Sequence, residues 1–158
     1  MAIDNISKDY FIYIRTHEAY DIYNAIKLGI TTYIAERDST YATGEIKRGK
    51  FILVIRVSTF SNEVINYSRL KLLEKLIQDN FRGYHILADG GKEFFKKDII
   101  SLILPFLDSL DIVYNILADD ELSRLIKLYK LKQIIIQHSK KITNTLKKWL
   151  ARIKLSKP

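Results

Sequence analysis

The sequence predicts an α/β (α+β) fold, with a small, mostly antiparallel sheet flanked by helices and a C-terminal helical extension. Three runs of aliphatic and aromatic residues, at 10–15, 25–30 and 51–60, are typical of strands. Helical patterns follow the second and third runs, and one long helical pattern begins at Glu121. We therefore expect one folded domain over residues 1–104 and a helical extension over 105–158.

The first two strands, Tyr10 to Arg15 and Ala25 to Ile30, are predicted to pair as an antiparallel unit. The polar segment THEAYDIYN lies between them and is expected to be an extended hairpin connection. A short helix follows over residues 31–41, with Thr31 or Thr32 as its cap and Gly44 as its stop.

The run FILVIRVSTF is the most strand-like of the chain, and we expect it to be the central strand. The next helix is predicted to begin after Ser61 or Asn62 as cap, with Glu63 in its first turn, and to end near Phe81. Its apolar positions form a core face: Ile65, Leu70, Leu73, Leu76 and Ile77.

The segment from Gly83 to Leu104 is expected to contain a short strand at HIL, a turn at GG, and a helix entered through Glu93 and two phenylalanines. Pro105 starts or kinks the helix that follows it. The last 35 residues are predicted to form one basic amphipathic helix or a pair of helices.

Composition excludes several kinds of chemistry. The chain has 158 residues and no cysteine, so disulfides, thiolate zinc sites and cysteine nucleophiles are excluded. Three histidines, at 17, 85 and 138, show no metal-ligand spacing. The N-terminal residues carry acids and no apolar signal core, and no apolar run reaches the roughly 18 residues of a membrane span. We expect an intracellular protein without a membrane span.

The positive charge is confined to the C-terminal part. Residues 1–118 hold 15 basic and 15 acidic side chains, whereas residues 119–158 hold 11 and 3, which accounts for the net charge of +8. A basic extension on a neutral domain is typical of polyanion binding through counterion release. The candidate DNA contacts are Lys140, Lys141, Lys147, Lys148, Arg152 and Lys154. A solvated lysine-rich helix face is the simpler alternative.

Two further interpretations of the extension stay open. Ile135, Ile142 and Trp149 lie seven residues apart and could form the seam of a homodimer. The segment KKITNTLKKWLARIKL also has the basic face and the tryptophan of helices that lie on membrane surfaces. DNA binding and dimerisation are compatible with each other.

A set of motif residues is distributed over the first domain. FIY occupies positions 11–13, KLG occupies positions 27–29, and Arg37 and Glu74 follow on two predicted helices. In order, element type and spacing the set resembles the GIY-YIG nuclease superfamily. The resemblance covers roughly residues 10–100 and looks most like the phage and large-DNA-virus branch, in which the second motif often reads KIG. That branch has an E-[FW]-F segment near its end, similar to the segment EFF at 93–95 here, and a viral origin is compatible with it.

The chain departs from the family pattern at two positions. Phe11 stands in place of the first glycine, and Lys27 stands in place of the first tyrosine of YIG. Some restriction enzymes of the superfamily are similar in having lysine there and a tyrosine four residues after the helix arginine, where this chain has Tyr41. The family's final polar residue matches only the candidates Asn80 and Asn115.

The resemblance implies a metal-dependent DNA endonuclease with the catalytic set Tyr13, Lys27, Arg37, Tyr41 and Glu74. Such a reaction needs a base for water, positive charge on the phosphate and a cation at the leaving oxygen. Tyr13 is expected to take the proton, with Lys27 lowering its pKa or serving as the base itself.

Arg37 is expected to clamp the phosphate through its planar fork. Glu74 is expected to hold Mg²⁺ or Mn²⁺, with Glu63 as its rival for the metal. The alternatives from other classes are a catalytically inactive DNA-binding module of regulatory or packaging role, and an anchor for a membrane or partner that acts through the extension.

Overall fold

The computed structural model describes residues 9–86 and 91–155, with side chains described as far as residue 150. Its elements are β1 (Tyr10–Thr16), α1 (Glu18–Asp21), β2 (Ala25–Thr31), α2 (Ile34–Gly44), β3 (Lys50–Phe60), β4 (Glu63–Val64), α3 (Tyr67–Asn80), β5 (Phe94–Lys96), α4 (Ile99–Asp108), β6 (Ile112–Ile116) and α5 (Asp119–Leu155). The mostly antiparallel sheet with flanking helices and a long C-terminal helix confirms the predicted fold class.

The strand order places β1 in the middle of the sheet. The order is β4-β3-β1-β2-β5, and β6 also pairs with β3. The prediction that β3 would be the central strand is therefore wrong by one position, although β3 does have neighbours on both sides. The predicted antiparallel pairing of β1 with β2 is confirmed, and it sets Tyr13 opposite Gly29.

Successive residues of β1 face opposite sides of the sheet, and both sides are covered. Ile12 and Ile14 belong to the larger core, which includes Leu70 and Leu73 of α3 and Ile103 of α4. The other face carries a smaller core: Phe11, Tyr13, Ile34, Val54 and Leu117, with Leu122 and Leu125 of α5 packed against it. Because a strand alternates its side chains, helices on both faces bury β1 from Phe11 to Arg15.

The connection between β1 and β2 is a short helix, which corrects the prediction of an extended hairpin segment. His17 caps α1, because its Nδ1 accepts a hydrogen bond from the backbone N–H of Ala19 at 3.0 Å. Helix α2 begins at Ile34 after Tyr33, and the Thr31 hydroxyl accepts from the backbone N–H of Tyr33 at 3.1 Å. It ends at Gly44 as predicted.

The predicted start of the third helix is wrong. Ser61 and Asn62 have positive φ angles of 52° and 59° and form the turn between β3 and β4. Helix α3 starts at Tyr67, and its cap is Asn66, whose side chain accepts from the backbone N–H of Arg69. Serine and asparagine suit both turns and caps, so their identity did not distinguish the two.

Residues after 104 belong to the same folded unit as those before. The predicted domain boundary falls inside α4, where Ile103 and Leu107 are both fully buried in the core, and Pro105 lies within the helix. Beyond it, β6 pairs with β3 from Ile112 to Ile116. Phe94 and Phe95 form a strand rather than the start of a helix, because β5 pairs with the beginning of β2.

The C-terminal extension is one helix rather than a pair. Its first turns are anchored, since Arg56 of β3 pairs with Glu121 at 2.9 Å and Leu122 and Leu125 pack on the smaller core. From residue 137 to 150 every side chain is exposed. None of the described helices is long and apolar enough to cross a membrane.

Candidate active site

Gly29 provides the space in which the Tyr13 ring lies. A Cβ atom at position 29 would come within 2.5 Å of the Tyr13 Oη and 2.7 Å of its Cζ. Such distances are too short for any side chain, so Tyr13 can lie across β2 only while residue 29 is glycine. The two motif positions are therefore coupled by direct packing across the β1–β2 pair.

The hydroxyl of Tyr13 meets that of Tyr41, which α2 carries to the same face of the sheet. The two oxygens are 2.9 Å apart, and either can be the donor. The rings meet edge to face with centroids 6.4 Å apart, and Phe51 of β3 packs edge to face on both. Tyr13 is only 2% exposed, whereas Tyr41 is half-buried at the rim.

Lys27 lies beside this tyrosine pair. Its Nζ is 5.2 Å from the centroid of the Tyr41 ring and 2.9 Å from the Glu93 carboxylate. The lysine side chain is 19% exposed and that of Glu93 is 48% exposed. Glu93 immediately precedes β5, whose pairing with Ala25 to Lys27 brings the acid next to the lysine. Sequence reasoning used Glu93 only as part of a family segment and missed its contact with the site.

Arg15 is a second residue that sequence reasoning missed. It stands two residues after Tyr13 on the same face of β1 and opposite Lys27 in the β1–β2 register. The side chain is completely buried, and its guanidinium carbon lies 4.0 Å from the centroid of the Tyr41 ring. The alternation of side chains along β1 could have pointed to Arg15 from sequence, because it places Arg15 and Tyr13 on the same face of the strand.

Arg37 and Glu74 are half-buried and approach the group from two helices on opposite faces of the sheet. The charge of Arg37 acts to lower the pKa of both Tyr13 and Glu74, and the charge of Glu93 acts to raise both. Such mutual effects require the groups to lie near one another. The structure thus brings Tyr13, Tyr41 and Lys27 close together, whereas Arg37 and Glu74 are linked to this group only through the effects of charge on pKa.

The pKa of Tyr13 is raised well above its ordinary value. Burial is the main cause, followed by the hydrogen bond with Tyr41 and the charge of Tyr41, and Arg37 opposes them only in part. Burial lowers the pKa of Lys27, but the hydrogen bond with Glu93 and the neighbouring charges outweigh it, so that pKa is raised as well. The expectation that Lys27 lowers the pKa of Tyr13 stays a prediction, since burial and Tyr41 outweigh the charges that act in that direction.

Glu74 is the carboxylate suited to a cation. Burial raises its pKa and the charge of Glu93 raises it further, whereas Lys71 and Arg37 oppose the rise. It takes part in none of the salt bridges found among the described residues. A desolvated carboxylate beside a like charge is a group that a bound cation would stabilise.

The rival ligand Glu63 lies elsewhere. It belongs to β4 and forms a salt bridge with Arg69. Within residues 9–86 and 91–155 no group of three or more histidine or acidic side chains is placed to hold a metal ion. A metal in the cleft would therefore rest on Glu74, with Glu93 as the nearest further acid. Of the candidate polar residues, Asn80 ends α3 and Asn115 pairs with Arg56 in the sheet.

The lysines proposed for DNA contact lie on the exposed part of α5. Lys140, Lys141, Lys147 and Lys148 are all exposed, and no acidic residue occurs between Glu121 and the end of the chain. Arg152 and Lys154 lie outside the residues whose side chains are described. The apolar residues Ile135, Ile142 and Trp149 on the same helix are 64%, 61% and 58% exposed.

Comparison of the chain with models of protein families, with curated proteins and with solved structures finds no match. The site is therefore interpreted from its geometry and chemistry.

Proposed function

We propose that the protein is a metal-dependent DNA endonuclease that hydrolyses phosphodiester bonds with an activated water molecule. The observation that supports this most is the contact of Tyr41 with both Tyr13 and Lys27, beside which the charges of Arg37 and of the acids act on Tyr13 and Glu74. These groups are distant in sequence and supply the base, the positive charge and the metal ligand that the reaction requires. Residues with purely structural roles would not be expected to cluster as a set with these complementary chemical properties.

Arg37 binds the scissile phosphate in this proposal. Its guanidinium lies at a polar cleft formed by Thr31, Thr32, Tyr33, Glu36 and Thr40, at the start of α2. A planar guanidinium makes two parallel hydrogen bonds to phosphate oxygens and stabilises the charge that develops on them. Lys27, which lies beside the Tyr41 ring, adds a second positive charge to the site.

Glu74 would hold the metal ion, which as Mg²⁺ would keep most of its waters. Mg²⁺ or Mn²⁺ supplies charge stabilisation at the phosphoryl and leaving oxygens when bound. In this proposal the hydrogen-bonded pair of Tyr13 and Tyr41 first loses one proton to solvent, and the singly ionised pair then takes the proton of the water that attacks phosphorus. The bond between phosphorus and the leaving oxygen of the sugar breaks, and that oxygen takes a proton from solvent.

Helix α5 binds the phosphate backbone of DNA in this proposal. Eight basic side chains and no acidic one occur between Leu122 and Leu150, and every side chain from residue 137 to 150 is exposed. Charge of one sign attracts the phosphate backbone without reading sequence. The protein would then be found inside the cell with its DNA, and a homodimer through the apolar residues of the same helix is compatible with this role.

The experiment is incubation of supercoiled plasmid with purified protein in magnesium, with EDTA as the metal-free control. The proposal predicts nicked or linear plasmid in magnesium and no change in EDTA. Binding of DNA without any cleavage, over a range of pH and with manganese in place of magnesium, would contradict it.

An inactive DNA-binding module is the second candidate, and one observation favours it. Tyr13 is almost completely buried with a raised pKa, and Lys27 is held by Glu93, so neither is ready to accept a proton without rearrangement. The plasmid experiment separates the two, because this module retards DNA in a gel and leaves it intact.

A further inference from the structure

A basic groove lies between the loop that leads from α2 to β3 and the first part of α5. Its volume is about 650 Å³, and its apolar lining includes Phe51, Leu122 and Ile126. The two walls come from segments far apart in the sequence, so the groove is a product of the fold. Four cationic side chains line it: Arg48, Lys50, Lys127 and Lys130.

The groove carries more positive than negative charge. Its acids are Asp38 and Asp119, against the four cations. Asp38 is 5% exposed and is already paired with Arg48. The three lysines of the groove are all exposed, so an anion can reach their ammonium groups. An anion that enters the groove would therefore meet three lysines and one acid.

The loop wall of the groove is held in place by Arg15. The arginine Nη1 and Nη2 donate to the two carboxylate oxygens of Glu45, each at 2.5 Å, and the arginine side chain has no exposed surface. Glu45 also accepts the backbone N–H of Gly49 at 3.0 Å. A Cβ atom at position 49 would lie 2.5 Å from the carbonyl oxygen of Thr16, so only glycine lets the loop lie this close to β1. The shape of this wall is thus determined by contacts within the chain.

Phe51 connects the groove with the candidate active site. Its ring lines the groove and meets the Tyr13 ring edge to face, with the two centroids 5.2 Å apart. The same ring meets that of Tyr41 with the centroids 6.4 Å apart. A ligand that fills the groove would therefore lie one aromatic ring away from the tyrosine pair.

The basic surface of the groove continues along α5. Lys127, Lys141 and Lys148 are separated by multiples of seven residues, so they lie near one face of the helix. At 1.5 Å per residue, this row of lysines is about 30 Å long. A small anion can contact only one point of such a row, whereas the DNA backbone carries a regular series of negative charges along its whole length. The length of the basic surface therefore favours DNA as its ligand.

We propose that this groove binds the phosphate backbone of DNA and holds the DNA beside the tyrosine pair. The inference rests on the proposed function and extends its DNA contacts from the exposed part of α5 to the body of the protein. The exposed lysines further along α5 bind the DNA that leaves the groove. The residues that the groove adds as contacts are Arg48, Lys50, Lys127 and Lys130.

The first test measures binding of a fluorescently labelled DNA duplex to the full chain by anisotropy, over a range of sodium chloride and in EDTA. Changing Lys127 and Lys130 to glutamine together removes two cations from the α5 wall of the groove. The slope of log K against log salt is expected to fall by about 1.8, because each phosphate contact contributes about 0.9.

The matched control changes Arg124 and Lys132 to glutamine together. It removes the same charge from the same helix at two exposed positions that do not line the groove. The control is expected to keep a slope close to that of wild type. Equal losses of slope in the two double variants would overturn the proposal.

The second test distinguishes the groove from α5 acting alone. Lys50 lies at the start of β3 in the opposite wall, so Lys50→Gln is expected to lower the slope by about 0.9. Lys75→Gln is its control, because Lys75 is exposed on α3, which packs on the other face of the sheet. A Lys50→Gln protein that binds like its control would show that α5 binds DNA without the groove, and would contradict the proposal.

Inorganic phosphate distinguishes a DNA site from a site for a free anion. At equal ionic strength, sodium phosphate is expected to displace the duplex no more than sodium chloride does. Stronger displacement by phosphate that disappears when Lys127 and Lys130 are changed to glutamine would identify an ion site, and would overturn the assignment to the DNA backbone.

Binding is measured without metal, so its outcome is separate from that of the plasmid experiment. A protein that binds DNA through the groove but never cleaves it would contradict the proposed function alone. A protein that cleaves plasmid, but whose groove variants bind DNA like their controls, would contradict the groove alone.

Discussion

Gly29 and Tyr13 face each other across the β1–β2 pair, and the tyrosine ring fills the space that a side chain at position 29 would need. The contact fixes the ring where its hydroxyl meets that of Tyr41. It gives a physical reason why Gly29, the last residue of KLG, accompanies Tyr13, the last residue of FIY. The pairing is a property of the sheet, and the catalytic proposal is built on it.

Gly29→Ala is expected to destabilise the protein and to separate the two hydroxyls. The added methyl group would lie 2.5 Å from the Tyr13 Oη, so the ring must move, at a cost of about 1–3 kcal/mol for an overpacked site. Urea denaturation measures the change. Gly44→Ala is the control, because a Cβ atom there meets nothing within 4 Å. Equal stability of the two variants would show that Tyr13 does not lie across Gly29.

Glu45→Gln is expected to cost much more stability than Glu18→Gln. Glu45 is paired with a fully buried arginine and is itself 14% exposed, and breaking a buried pair costs about 3–5 kcal/mol. Glu18 pairs with Lys47 at the surface, where both side chains are more than half exposed, so its loss is worth about 0–1 kcal/mol. Urea denaturation at neutral pH provides the comparison, and similar losses for both variants would contradict the account of the Arg15 site.

The ion pair of Arg15 and Glu45 predicts how the free energy of unfolding depends on pH. Hydrogen bonds from Arg15 lower the pKa of Glu45 in the folded protein, although burial opposes them. The ionised Glu45 therefore contributes its full stabilising free energy at any pH above the pKa of a glutamate in the unfolded chain. That contribution is lost as the pH falls through the lower pKa that Glu45 has in the folded protein. Wild type should lose stability more steeply than Glu45→Gln in this acidic range. Parallel pH profiles for the two proteins would contradict the assignment.

Removing the exposed positive charges of α5 is expected to weaken DNA binding and to make the binding less sensitive to salt. The variant replaces four lysines by glutamine: Lys140, Lys141, Lys147 and Lys148. Each phosphate contact contributes about 0.9 to the slope of log K against log salt, so the slope should fall by up to about 3.6. The matched variant changes Ile135, Ile142 and Trp149 to glutamine on the same helix. It should keep the salt slope, and sedimentation should show a lower mass only if those residues form a dimer seam. An unchanged slope of log K against log salt in the lysine variant would exclude a role of these lysines in DNA binding.

The arrangement of Tyr13, Gly29 and Tyr41 could be predicted from sequence, because strand alternation and the four-residue helical repeat fix which side chains share a face. Glu74 stays a prediction that rests on the whole set, since its position relative to Arg37 depends on how α3 packs against the sheet. The whole chain's fold class followed from the same periodicities.

Arg15 could not be predicted as a site residue, because an arginine in a strand is ordinarily exposed and its partner Glu45 lies thirty residues away in a loop. The short helix α1 and the β3–β4 turn were also missed. Both are determined by local backbone geometry, such as the positive φ angles of Ser61 and Asn62, for which sequence offers equally good alternatives. Glu93 was missed because the pairing of β5 with β2 brings it to Lys27 from far along the chain.

The most direct measurement of the central claim is the rate of plasmid nicking in magnesium by wild type, Glu74→Gln and Glu63→Gln. The two variants make the same chemical change, but Glu74 is half-buried on α3 and is affected by the charges of Arg37 and Glu93, whereas Glu63 lies on the β3–β4 hairpin, paired with Arg69. The account predicts that Glu74→Gln lowers the rate by about 10²-fold or more, the loss typical of removing one preorganised transition-state contact, while Glu63→Gln cleaves like wild type. Equal rates for all three proteins would contradict the assignment of this cleft as the active site.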